Sequence, residues 1–187
     1  MPMNTSPPPP YVSRIAFWLV PAEPNRILLE EIINRLADEY NAPRFMPHIT
    51  LWVTHLRKEE SPQQIVEAAT RGVAPLRLEA TGLDQGPDRF KSIFIRFDTE
   101  SVVPLSRALG SSCKYPANYK LDAHLSLLYQ HLSPVERNKI IFELQLPELP
   151  MHFDTVVATT PGRGQADFEN VSLWQRVALV RLQPPIY

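Results

Sequence analysis

The chain writes one short pattern twice. "PRFMPHITLWVTHL", residues 43–56, and "LDAHLSLLYQHL", residues 121–132, share a histidine, any residue, Thr or Ser, Leu, three residues, then His-Leu. The two leading histidines, His48 and His124, stand 76 positions apart. What surrounds each copy repeats as well, and that constrains the fold more than any single element does.

Before the first copy, "RIAFWLV" (14–20) is β-branched and aromatic enough for a strand. "PNRILLEEIINRLADEY" (24–40) sets Leu28, Ile32, Leu36 and Tyr40 four apart and predicts an amphipathic helix. The motif strand covers 45–55. A helix at 61–72 follows, with Ser61 as cap, Pro62 at its first position and Gly72 beyond its end. Strands near 75–83 and 92–98 complete the half. The second half then reads as a helix at about 101–112, the motif strand 123–131, another Ser-Pro helix at 133–144, and strands near 152–159 and 171–182. Motif, element order and helix start all recur, so the chain is an internal duplication. The loops 84–89 and 160–170 have the Gly, Pro and Asp content of surface connections.

At 187 residues the chain suits one sizeable core. We expect a Pro-rich tail at 1–12 and a single bilobal domain over 13–187. The net charge of -1 gives no broad footprint for duplex nucleic acid or an anionic membrane. The single cysteine, Cys113, excludes an intrachain disulfide and any cysteine-based zinc cluster. With no long apolar run and no signal-like amino end, a soluble, cytoplasmic, monomeric protein is expected.

In a strand, residues i and i+2 share a face, so His48 sits beside Thr50 and His124 beside Ser126. Related halves packed about an approximate two-fold axis can bring equivalent strands together, and then two imidazoles and two hydroxyls face one cleft. Such a set suits phosphate ester chemistry with no metal or other cofactor. A neutral ring takes a proton from water while a protonated ring delivers one to the departing oxygen. Two hydroxyls can donate to non-bridging phosphate oxygens. His55 and His131 each lie seven past the first histidine, an odd step that predicts the other strand face and a supporting role. His152 matches no pattern. The spacings supply no zinc site, and "GRGQ" (162–165) is no phosphate-binding loop.

At these residues the sequence resembles the 2H phosphoesterase superfamily, and within it the plant and yeast type of cyclic phosphodiesterase. "FWLVP" with its acidic helix, "PRFMPHIT", "HLSLLY" and the late "LWQRVA" carry the likeness. The resemblance implies an α+β, bilobal, pseudo-two-fold fold, with two antiparallel sheets lining a central cleft and helices outside. It implies a small-molecule substrate, either ADP-ribose 1'',2''-cyclic phosphate or a nucleoside 2',3'-cyclic phosphate. His48 and His124 carry over as the acid-base pair, and Thr50 and Ser126 as phosphate donors. The working assignment is His124 toward water and His48 toward the leaving oxygen, although two nearly equivalent motifs do not fix it. Tyr129, Trp18 and Phe90 match aromatic positions at the family's cleft. Tyr129 is five from His124, so it reaches the cleft only if a bulge or a strong twist re-aims it. Family members with several cysteines can form a disulfide that this chain cannot.

Two other readings compete. A 2H enzyme trimming RNA 3' ends, or joining and splitting 2'-5' RNA linkages, should favour a basic groove, against the net charge; long nucleic acid is not the expected partner. A non-catalytic nucleotide-binding module is the rival of another class, and the presence of both histidines and both hydroxyls argues against it.

Overall fold

The computed structural model describes residues 12–115, 117–146, 150–161 and 171–183. The tail expected at 1–12 lies outside them except for Val12, which opens the first strand, and so does nearly all of the loop at 160–170. In chain order the elements are β1 (Val12–Pro21), α1 (Asn25–Glu39), β2 (Ile49–Arg57), α2 (Pro62–Thr70), β3 (Leu76–Leu78), β4 (Ala80–Gln85), β5 (Ile93–Phe97), α3 (Val103–Ser112), β6 (His124–Leu128), α4 (Pro134–Glu143), β7 (Met151–Thr160) and β8 (Gln175–Arg181).

The strands pair in the order β3-β7-β1-β2-β6-β5-β4, with β8 also on β7, and every pairing is antiparallel. The half-sheets β3-β7-β1-β2, with β8, and β6-β5-β4 meet at a single register pair, Ile49 with Leu125. Those residues are the middle members of the two His-x-Thr/Ser motifs, so the join of the lobes is also the meeting point of the repeats. The helices exchange sides. α1, from the first repeat, packs on β6, while α3, from the second, packs on β2 beside α2. Antiparallel strands that share one face with a core and the other with a cleft are the pattern expected of an α+β fold.

β1 is buried on both faces. Ile15, Phe17 and Leu19 enter the main core with Leu29, Ile33, Phe97 and Phe153. Ala16, Trp18 and Val20 enter a second cluster with Tyr129, Val157 and Val171. That second cluster is the wall of the cleft.

Helix starts follow the sequence closely. The Ser61 hydroxyl accepts from the Gln64 amide, and Ser133 and Glu136 form a reciprocal capping box. Gly72 takes φ +74 just beyond α2, where a left-handed residue ends the helix at little cost.

Three expectations are corrected. The buried stripe of α1 is Leu29, Ile33, Leu36 and Ala37, while Leu28 stays 41% exposed. Leu28-Leu29 and Ile32-Ile33 are paired in sequence, so the apolar arc is wide and packing chooses its second edge. The strand expected at 75–83 is broken at Glu79: β3 joins β7 at one end of the sheet and β4 joins β5 at the other. A single extended stretch thus crosses between the lobes. The strand expected at 171–182 opens instead with a 3-10 turn at Val171–Leu173.

Candidate active site

Each motif strand carries one extra residue, at the same place in both. Along β1, Trp18 pairs with Thr50 and Phe17 with Trp52, so Leu51 is skipped. Along β5, Phe94 pairs with Ser126 and Ile93 with Leu128, so Leu127 is skipped. These are β-bulges, and each shifts the alternation of side chains by one residue. Leu51 and Leu127 are both fully buried, and burying each contributes about 2 kcal/mol toward holding the irregular backbone. Past the bulges, Val53 and Tyr129, each five residues beyond its histidine, face the cleft with the motif side chains. Tyr129 therefore reaches the cleft through a bulge, one of the two routes its sequence spacing allowed.

The cavity has a volume of about 190 Å³, and Trp18, His48, Thr50, Phe90, His124 and Tyr129 all line it. Antiparallel pairing at Ile49–Leu125 sets His48 across from Ser126 and Thr50 across from His124. The two imidazoles are held alike. His48 Nδ1 lies 2.6 Å from the Met46 carbonyl oxygen and His124 Nδ1 lies 2.8 Å from that of Asp122. A carbonyl only accepts, so each Nδ1 donates its proton, and Nε2 remains as the titrating nitrogen.

Their surroundings differ. His48 is 5% exposed and stacks on Trp18 at 3.7 Å between ring centroids. Burial pushes its pKa down to about 4; the Met46 carbonyl opposes this and the nearby His124 adds to it. Burial also lowers His124, with Lys91 and Arg96 acting the same way against the Asp122 carbonyl and carboxylate. That carboxylate stands 3.6 Å from His124 Nδ1 and is itself paired to Lys91 and Arg96. Arg96 also holds Asp84. The cations keep the Asp122 carboxyl below its ordinary range even though burial raises it.

The hydroxyls are not equivalent either. Thr50 lines the cavity, and its hydroxyl makes no hydrogen bond among the described residues. Ser126 is 4% exposed and lies just behind the wall, donating to the Phe90 carbonyl at 2.8 Å and touching the Tyr129 phenol. Tyr129 stacks on Phe45 at 3.8 Å and meets Phe90 edge-on at 5.3 Å. Trp174 also stacks on Trp18, at 5.4 Å between ring centroids. The cleft is thus an aromatic box around two imidazoles.

Arg14, Val53, Asp122 and Trp174 escaped the sequence reading as site residues. Arg14 could have been found, since residues 14, 16 and 18 alternate on one face of β1 and Trp18 was already a candidate. Val53 and Asp122 depend on the bulge and on tertiary pairing. His55 is corrected in its face: it pairs with Arg14, which lines the cavity, because the bulge at Leu51 undoes the odd step. It is exposed and does not line the cavity, and neither do His131 and His152. Among the described residues no group of three or more His, Cys, Asp or Glu side chains could hold a metal ion.

Two half-sheets joined at paired His-x-Thr/Ser strands, with both motif histidines on one cleft, are the arrangement that the resemblance to the 2H phosphoesterases implies. The chain belongs to the family described as cyclic phosphodiesterase-like protein, whose model matches residues 13–181. It is 22% identical over 176 residues to the cyclic phosphodiesterase of Arabidopsis thaliana, covering 89% of this chain and 94% of that one. The fold is shared with E. coli LigT. Its complex with ATP superposes with a TM-score of 0.54 at 14% identity, covering 93% of this chain and 100% of that one. Its complex with 3'-AMP gives 0.52 at 16% identity, with the same coverage.

Proposed function

We propose that this enzyme opens ribose cyclic phosphates without a metal, by general acid-base catalysis between His48 and His124. The substrate class is ADP-ribose 1'',2''-cyclic phosphate or a nucleoside 2',3'-cyclic phosphate. The observation that carries the reading is the matched pair of Nδ1-to-carbonyl hydrogen bonds, which leaves two Nε2 nitrogens as acid and base at one cavity. Water oxygen attacks phosphorus as one imidazole takes its proton. The bond from phosphorus to one ribose oxygen breaks, and the other imidazole protonates that oxygen. Opening at O3' gives the 2'-phosphate. Thr50, which lines the cavity, donates to a non-bridging oxygen, and Ser126 backs Tyr129 and the Phe90 loop or rotates to donate as well. Trp18, Tyr129 and Phe90 form the apolar and aromatic wall on which a base or ribose rests. The small nucleotides in the LigT complexes accord with a ligand of this size.

The test is hydrolysis of both substrates in EDTA by wild type, His48→Ala and His124→Ala. Turnover that survives EDTA and is lost in both variants upholds the reading, and the position of phosphate in the product shows which bond breaks. A folded wild type that opens neither substrate overturns it. The rival RNA 3'-end or 2'-5' linkage activity would then be sought with short oligonucleotides, and nucleotide binding alone after it.

A further inference from the structure

β8 carries a bulge of its own. Thr159 pairs with Arg176 and Ala158 with Ala178, so Val177 is skipped. Beyond the bulge, Ala178 and Val180 pack into the main core, while Leu179 and Arg181 turn the other way. The skipped residue brings Arg176 round to join them, on the face where β1 shows Trp18 and Val20. Register then lays three rows across β1, β7 and β8. Ala16 leads through Thr159 to Arg176, Trp18 through Val157 to Leu179, and Val20 through Thr155 to Arg181.

A second cavity, of about 450 Å³, lies on this face. Val20, Met46 and Val157 line it and belong to the same apolar cluster as Trp18, so the cluster is a wall common to both cavities. The charged lining of the second cavity is uneven. Arg26 is committed to Glu23 and Glu30, and Asp154 accepts from the Thr155 hydroxyl at 2.7 Å. Arg176 and Arg181 make no hydrogen bond or ion pair among the described residues. With the pair of Arg26 and Glu23 cancelling, two uncommitted guanidiniums face one carboxylate.

We propose that this second cavity is a diphosphate subsite. In it Arg176 and Arg181 hold a diphosphate borne on the 5-carbon of the ribose whose cyclic phosphate lies between His48 and His124. The inference rests on the function proposed above and deepens it, selecting the ADP-ribose type of substrate over a nucleoside 2',3'-cyclic phosphate, which has no such group. Guanidinium forks match phosphate oxygens in shape as well as charge. Size points the same way, since the active cavity of about 190 Å³ falls short of the roughly 300–1,000 Å³ of ordinary small-molecule sites. Position does too. Two strand spacings, about 10 Å, separate β1 from β8, and the arginine side chains span part of that gap. The diphosphate of the ADP-ribose substrate stands one ribose and one methylene from the reacting phosphate.

The experiment measures kcat/KM for ADP-ribose 1'',2''-cyclic phosphate and for 2',3'-cyclic AMP with wild type, Arg176→Gln, Arg181→Gln and the double variant. Each substitution should cost about tenfold on the first substrate, mainly in KM, since a hydrogen bond to a charged group is worth that much. Turnover of 2',3'-cyclic AMP should stay within about twofold of wild type, because the catalytic cleft is untouched. Added salt should raise KM for the diphosphate substrate in wild type and much less in the double variant. Equal losses on both substrates would overturn the subsite by showing that the arginines act through the cleft or the fold, and so would no loss on either. A third substrate, a dinucleotide ending in a 2',3'-cyclic phosphate, carries a single 5'-phosphodiester. If it suffers as much as the ADP-ribose substrate, the cavity serves an RNA end and the diphosphate assignment falls. Calorimetry with ADP-ribose keeps the test separate from catalysis. Binding by wild type that weakens about 100-fold in the double variant supports the subsite even if neither cyclic phosphate is opened and the proposed function fails. Binding indifferent to both arginines, or absent in wild type, overturns it.

Discussion

Leu51 and Leu127 are equivalent residues of the two repeats: each lies three past its motif histidine, each is skipped by the neighbouring strand, and each is fully buried. The consequence is shared too. Whatever stands five residues past the histidine returns to the cleft face, Val53 in one copy and Tyr129 in the other. The duplication has therefore kept not only a motif but a defect in the ladder just after it, and the defect supplies the aromatic wall.

That wall leads to the first prediction. Tyr129→Phe keeps the stack on Phe45 and loses only the contact with Ser126, so its kcat/KM on 2',3'-cyclic AMP should stay within a few-fold of wild type. Tyr129→Ala removes the platform. Base-aromatic stacking is worth about 1–3 kcal/mol, so KM should rise roughly 5- to 150-fold with a smaller change in kcat. Steady-state kinetics on both variants check this, and equal losses in the two would show that the phenol, not the ring, matters.

The two hydroxyls should separate in the same assay. Thr50 lines the cavity and its hydroxyl makes no hydrogen bond among the described residues, whereas Ser126 is buried and already donates to the Phe90 carbonyl. Loss of a single preorganised donor to a developing charge typically costs about 10²–10³ in kcat. Thr50→Ala should fall in that range, and Ser126→Ala should lose about tenfold, chiefly through movement of Tyr129 and Phe90. A Ser126→Ala variant as impaired as Thr50→Ala would show that the serine rotates to donate to phosphate.

Element order, both capped helix starts and the pairing of the two motifs could be read from the sequence because each depends on local chemistry. Ser61-Pro62 and Ser133-Pro134 begin helices wherever they are placed, and His-x-Thr/Ser in a strand puts both side chains on one face. What the sequence did not carry depends on partners far along the chain. The break at Glu79 arises because β3 and β4 are claimed by opposite ends of the sheet. The face of His55 depends on a bulge that only the register with β1 reveals. Asp122 gains meaning from Lys91 and Arg96, 31 and 26 residues away. The repeat itself hid this difference, since the motifs match and the asymmetry lies two residues before them.

The outer face of β2 offers a test independent of catalysis. The bulge at Leu51 turns Trp52 away from the cleft and against α3, where a Cβ placed on Gly110 would lie 2.8 Å from its indole ring. Real Cβ contacts are never that short, so Gly110→Ala must displace α3 or the indole. Overpacking of this kind costs about 1–3 kcal/mol, against which the gain in helix propensity of about 1 kcal/mol is no larger. Urea unfolding should show a net loss, with the pH profile of activity unchanged. A stabilised Gly110→Ala protein would mean that the α3–β2 contact is looser than this geometry.

The last prediction concerns stability and follows from the burial of His48. Its folded pKa, about 4, lies below the ordinary 6.5 of an unfolded histidine. Above pH 6.5 neither state binds the proton and His48 contributes no pH dependence. As pH falls through 6.5 the unfolded chain takes up the proton and the folded protein does not, so stability is lost down to about pH 4. Each pH unit in that window costs about 1.4 kcal/mol, so the loss between pH 7.5 and pH 5 is about 2 kcal/mol from this residue alone. His48→Asn can still offer an N–H to the Met46 carbonyl but cannot titrate. Carboxylates protonate equally in both proteins, so the difference between their urea stabilities isolates the imidazole. The wild type should lose about 2 kcal/mol more than His48→Asn over that interval. Parallel stability curves for the two proteins would mean that His48 is hydrated and titrates normally, and an imidazole held neutral by burial against Trp18 would have to be abandoned.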